Sequence, residues 1–211
     1  MKKIAAVVLA ALVVFAINAL SWVVLPFHYQ TTHKFTDEDA VAGALKANAP
    51  KAGVYLYPLG DMHKSGLTSK QQEAEWEKVQ EKITKGPFAF VSVLPQGMKP
   101  WLPKSMFREF IKNLLAAFII VWLLAQTTEL NYWKKVIFVM LAALAGSIIG
   151  ILPNWIWWGM SPAYILVQFV DIAIAWFAAG LVMAKFLATQ SAKPQTPISE
   201  GLTLEGNINQ E

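Results

Sequence analysis

Apolar and polar positions are segregated along this chain into long blocks rather than alternating evenly. Four blocks are dominated by apolar residues: Ile4–Leu25, about 107–126, Val136–Leu152 and Ala163–Leu187. Each has roughly the 17–25 residues that a helix needs to cross about 30 Å of hydrocarbon. The pattern predicts four transmembrane helices. The first block also has the basic start and apolar middle of a secretory signal, and Ala19–Ser21 offers small residues for cleavage. The apolar run continues through Trp22, Val23, Val24 and Leu25 to Pro26, long enough to span, which favours a retained signal-anchor over residues 1–26.

Between the first two blocks, residues 27–106 change character. "FTDEDAVAGALKANAP" places Thr36 as a helix cap with Asp39 three residues on, and Val41, Ala44 and Leu45 follow at helical spacing. "GVYLYP" is a short aromatic and branched run bounded by Gly53 and Pro58, which predicts a strand. "TSKQQEAEWEKVQEKITKG" predicts a second helix, capped by Thr68 or Ser69 and stopped by Gly86. Its Trp76, Val79 and Ile83 stripe one face, and Glu–Lys pairs support the other. "PFAFVSVLPQG" predicts a second strand. Helix, strand, helix, strand makes a small α/β cap, and a right-handed parallel crossover is the expected pairing. So few residues make a marginal core, and the cap is expected to lean on the membrane helices. The fold class expected is therefore a mainly α membrane protein, with four transmembrane helices and a small extracytoplasmic α/β insertion between helices 1 and 2. Residues 107–188 form a three-helix unit, with spans at about 107–126, 136–152 and 163–187. The polar residues 189–211 are expected to be a disordered cytoplasmic tail.

Composition agrees with a membrane class: of 211 residues, 55% are hydrophobic and only 15% charged, unlike an ordinary soluble domain. The net charge of +4 comes largely from lysines flanking the helices and from the long loop, so it does not signal nucleic acid as a partner. The absence of cysteine excludes disulfides, a thiolate nucleophile and sulfur-ligated metal. Lys2 and Lys3 precede the first helix, Lys134 and Lys135 lie between the second and third, and Lys185 and Lys193 follow the fourth. "PNWIWWGMSP" carries no charge. By the positive-inside rule both termini are cytoplasmic and residues 27–106 periplasmic, in a bacterial inner membrane. Lys99, Lys104, Arg108 and Lys112 oppose that orientation, but long loops translocate largely regardless of charge.

Asp171 stands inside the last apolar block. A charge at a helix centre costs about 2.5–3.5 kcal/mol on insertion scales, so such a carboxylate is turned inward and paired, or protonated. Tyr164, Gln168, Asp171, Ala175 and Ala178 share a helical face expected to turn to the bundle, with the bulky Phe169, Ile172 and Trp176 pointing elsewhere, towards lipid. At about 1.5 Å per residue, Asp171 lies about 12 Å, Asn18 about 10 Å, Ser147 about 9 Å and Lys112 about 8 Å inside the outer boundary. With Gln168 one turn before Asp171 and Asn113 beside Lys112, these residues form a candidate intramembrane polar cluster of six. It reads either as structural glue, with Asp171 paired to Lys112, or as a proton- or cation-handling site.

Ala142, Gly146 and Gly150 recur every four residues, a stripe for close helix packing or for dimerisation. Trp101, Trp155, Trp157 and Trp158 suit anchoring at the membrane interface, the last three just after Pro153. His28 and His33 are five apart and share no helical face; with Asp37, Asp39 or Asp61 they would suit zinc or copper, but solvated histidines are the simpler reading and no metal or cofactor is expected. The chain has no His-Glu-x-x-His, no Gly-x-Ser-x-Gly and no phosphate-binding loop, so no catalytic residue is expected. The leading expectation is a non-enzymatic accessory or scaffolding subunit whose cap and tryptophan rim meet a lipid or protein partner, or a second copy. The alternative is a proton- or cation-coupled permeation module centred on Asp171.

Overall fold

The computed structural model describes residues 1–61, 64–98, 102–127 and 130–187. Trp101, His63 and the tail 189–211 lie outside them. The described chain is mostly helical. In order it runs α1 (Lys2–Val23), α2 (Phe27–Gln30), α3 (Glu38–Asn48), β1 (Gly53–Tyr57), α4 (Ser69–Lys85), β2 (Ala89–Val93), α5 (Leu102–Ala125), α6 (Tyr132–Trp158) and α7 (Pro162–Phe186).

Three helices, α1, α6 and α7, are long and apolar enough to cross a membrane. At 24 residues α5 is as long, but Lys104, Arg108, Glu109 and Lys112 crowd its first three turns. It nonetheless shares their core. Ala6, Ala10, Ala11 and Val14 of α1 pack with Ala117, Ile120, Val121 and Leu124 of α5, Val139 of α6, and Ala175, Trp176, Ala179 and Met183 of α7. The start of α1, the end of α5, the start of α6 and the end of α7 meet around a small pocket at one end of the bundle, lined by Lys3, Ala125, Lys135 and Leu187. The four helices therefore alternate in direction. At that end the buried Lys135 donates from Nζ to the carbonyl oxygen of Leu187, 2.6 Å away, just past the last turn of α7. A cation there meets both the unsatisfied carbonyls and the negative end of the helix dipole.

Helix α6 departs from expectation by running through Pro153 to Trp158. Proline removes one backbone donor but does not end a helix whose neighbours keep packing. The stop comes at Gly159, in the left-handed region at φ 69°, where the Asn154 carbonyl accepts from the N–H groups of Gly159 and Met160. Trp155, Trp157 and Trp158 thus belong to the last turns of α6 instead of a loop. After Gly159, Ser161 caps α7 by accepting from the Tyr164 N–H, and Pro162 takes the first helical position.

Wedged between α1 and α6, α7 buries two faces. Trp176 is buried and Ile172 packs against the core, contrary to the lipid-facing expectation; Leu166, Val170, Ile174 and Phe177 are the large hydrophobic residues that α7 leaves exposed. The close approach of α7 to α6 occurs at Gly180, where a Cβ would lie 3.1–3.3 Å from Val136. Gly146 and Gly150 face open space, so only Ala142 of the small-residue stripe packs against this chain's own core.

The cap contains the two strands, paired antiparallel with Gly53 opposite Val93 and Tyr57 opposite Ala89. This corrects the parallel expectation. A parallel crossover needs a connection that ends at the opposite end of the sheet. Here α4 spans about 26 Å, and the preceding loop is long enough to run back the same distance, returning the chain to the end it left. Helix α4 opens with a capping box between Thr68 and Gln71. The cap of α3 is Asp37, accepting from Ala40, one residue beyond the expected Thr36. Phe90 of β2 stacks on Trp158 of α6 at 4.5 Å, and Phe88 lies beside Gly159.

Candidate functional site

Asp171 sits in the third turn of α7, on the side turned to α1. There it meets two residues absent from the expected cluster. Ser21, in the last turn of α1, donates to Oδ1 at 2.7 Å. His28 presents Nε2 to Oδ2 at 2.6 Å, and the same nitrogen lies 3.2 Å from the Ser21 hydroxyl. His28 reaches this position because α1 stops at Val23, Pro26 turns the chain, and the single-turn α2 folds back over the helix end. The imidazole stacks on Trp22 with ring centroids 3.6 Å apart. Its side chain is 3% exposed, against 15% for Asp171. His28 is therefore a buried partner, not a solvated histidine, while His33 is exposed.

Serine, histidine and aspartate together invite comparison with a nucleophile relay. That relay needs a hydroxyl on one imidazole nitrogen and a carboxylate on the other. Here hydroxyl and carboxylate share Nε2, while Nδ1 is buried with no hydrogen-bond partner among the described residues. Ser21 is itself buried. The geometry makes a clamp joining the end of α1, α2 and the middle of α7.

On its exposed side Asp171 opens on a groove of about 670 Å³ between α1, α5 and α7. Asn18, Gln168 and Lys112 line it, so the groove gathers four of the six residues of the expected polar cluster. Glu109 lines it too. Lys112 does not pair with Asp171; it binds Glu109 one turn earlier on α5, with 62% of its side chain exposed. The other two stand apart. Ser147 is buried and donates to the Ala143 carbonyl of its own helix. Asn113 is buried, and its amide nitrogen has no partner among the described residues. Phe15, Trp22, Val23, Leu102, Met106 and Ile172 supply the apolar wall.

The partners of Asp171 left a faint trace in the sequence: Ser21 and His28 are seven residues apart on either side of Pro26, at the level where the first helix must end. Among the described residues, no three His, Asp or Glu side chains come together as they would around a metal ion. The exposed Trp155 and Trp157 stand on the last turns of α6, and Trp158 is engaged by Phe90. No protein-family model, curated protein or solved structure matches this chain.

Proposed function

We propose that this is a multi-pass membrane protein without enzymatic activity, whose cap is completed by a partner protein. In this reading α5 crosses the bilayer beside α1, its charged first turns at the outer rim, and the cap stands on the periplasmic side of a bacterial inner membrane. Support for the fourth span comes from the shared core and the alternating directions of the helices. The lysines at the Lys3–Leu187 end support the orientation.

One observation carries the accessory reading. Among the described residues of the cap only Ala49, Pro58, Val79 and Val93 are buried apolar residues, whereas Phe35, Val54, Tyr57, Leu59, Leu94 and Met98 are each at least half exposed. A two-stranded sheet with so small a core is marginal alone, and apolar surface of this extent marks an interaction site. The test is photo-crosslinking from position 54 in intact cells. A discrete adduct that is lost in Tyr57→Lys and kept in Glu77→Lys is the expected result. An uncrosslinked chain under several gentle conditions would remove this reading.

A second reading, a proton- or cation-coupled permeation module, is favoured by the exposure of Asp171 to the groove. Flux across liposomes should then fall in Asp171→Asn. Equal background flux in both proteins counts against it.

A further inference from the structure

The groove beside Asp171 has a specific charge pattern. Ser21 donates to one carboxylate oxygen, and Nε2 of His28 lies 2.6 Å from the other. Together these two side chains fix the orientation of the Asp171 carboxyl group. The carboxylate keeps free lone pairs, and it is on the groove that they open. Lys112 is held by Glu109, so the groove sets two carboxylates against one ammonium.

A complementary ligand brings a cation for Asp171 and a hydrocarbon body for the wall of Phe15, Trp22, Met106 and Ile172, and it can rest an anion on the N–H donors that the exposed Lys112 keeps beyond its bond to Glu109. A primary ammonium also carries three N–H donors. Asp171 takes one, and the side-chain carbonyls of Asn18 and Gln168 on the same groove can take the others. A quaternary ammonium has none to give. The groove is walled by three long helices, and its volume falls within the usual range for ligand sites. We propose that it binds a zwitterionic phospholipid with a primary ammonium head, the ammonium on Asp171 and the phosphate beside Lys112. This rests on the reading that α1, α5 and α7 span the bilayer.

The test uses the full chain purified in non-ionic detergent and offered an equimolar mixture of dioleoyl phosphatidylethanolamine, phosphatidylcholine and phosphatidylglycerol. Native mass spectrometry reads which lipid stays bound. The expected result is phosphatidylethanolamine in about tenfold excess over either competitor, the ratio that one charge-assisted hydrogen bond supplies. Asp171→Asn should bring that ratio towards one. Should that variant fail to fold, Met106→Trp fills the groove while leaving the clamp intact, and it should lose the bound lipid. Equal retention of the three lipids by the wild type, or unchanged binding by Met106→Trp, overturns the proposal. Resistance of the chain to alkaline extraction from membranes is scored separately. A firmly integrated protein with no headgroup preference fails the groove alone, whereas an extractable one fails the spanning reading.

Discussion

The bundle and the cap are made from one chain but hold together in different ways. In the bundle, alanines on α1 and Gly180 on α7 let helices approach until backbone meets backbone, and the core runs through all four long helices. In the cap, order comes from local devices: the Thr68 capping box, the Asp37 cap and a five-pair ladder, with only four buried apolar residues behind them among those described. Small side chains give the bundle close packing, which lipid does not supply as a hydrophobic force. The cap lacks the buried area that water would require of an independent domain. The difference teaches that the bundle is self-sufficient and the cap is borrowed, through Phe90 on Trp158 and His28 on Asp171.

The largest effect should come from the closest helix contact. Gly180→Val places a branched side chain against the Val136 backbone and should cost about 3 kcal/mol by forcing α6 and α7 apart. Thermal unfolding in detergent measures it; a loss below about 1 kcal/mol would mean that the bundle is looser than its geometry indicates. Next, His28→Ala leaves Ser21 and Asp171 with an unmet partner and should cost about 2 kcal/mol. Its distinguishing readout is faster proteolysis between α2 and α3, with the bundle fragment intact. Uniform destabilisation would show that cap and bundle are not separable. Thr68→Ala should cost about 1 kcal/mol within the cap alone, read as faster amide exchange in the first turn of α4 and unchanged exchange in α6 and α7. The smallest effect has the opposite sign. Gly146→Ala meets open space and should stabilise α6 by up to about 1 kcal/mol through helix propensity. A marked loss there would reveal a second chain or partner against that face.

Much of this was legible in the sequence. Charge-poor blocks marked the long helices, and turn residues bounded both strands and α4 within a residue or two. Asp171 announced an inward-facing site because a carboxylate in an apolar helix must find donors. Its donors were hidden, since Ser21 and His28 meet it only through the turn at Pro26, which depth counting along a straight helix cannot represent. Lys112 looked like the natural counter-ion by depth, but Glu109 one turn earlier on the same helix captures it first. Pro153 resembled a terminus because proline statistics describe water-exposed helices better than packed ones. Strand direction was set by the loop before α4, a matter of chain length and not of residue pattern. Gly146 and Gly150 drew attention by their spacing. The glycine that matters for packing, Gly180, carries the same spacing, with Ala184 four residues on, but as a single pair and not a run of three.

The turn at Gly159 bears on how the molecule assembles. Only three residues separate α6 from α7, whereas the bond from Ser21 to Asp171 joins positions 150 apart. Closing the longer loop costs about 3 kcal/mol more chain entropy. The α6–α7 hairpin should therefore form early, and α1 should dock late. Until it docks, the carboxylate stands on the hairpin's open face without its hydroxyl and imidazole, so arrival of the first helix is the step that makes burying the acid tolerable.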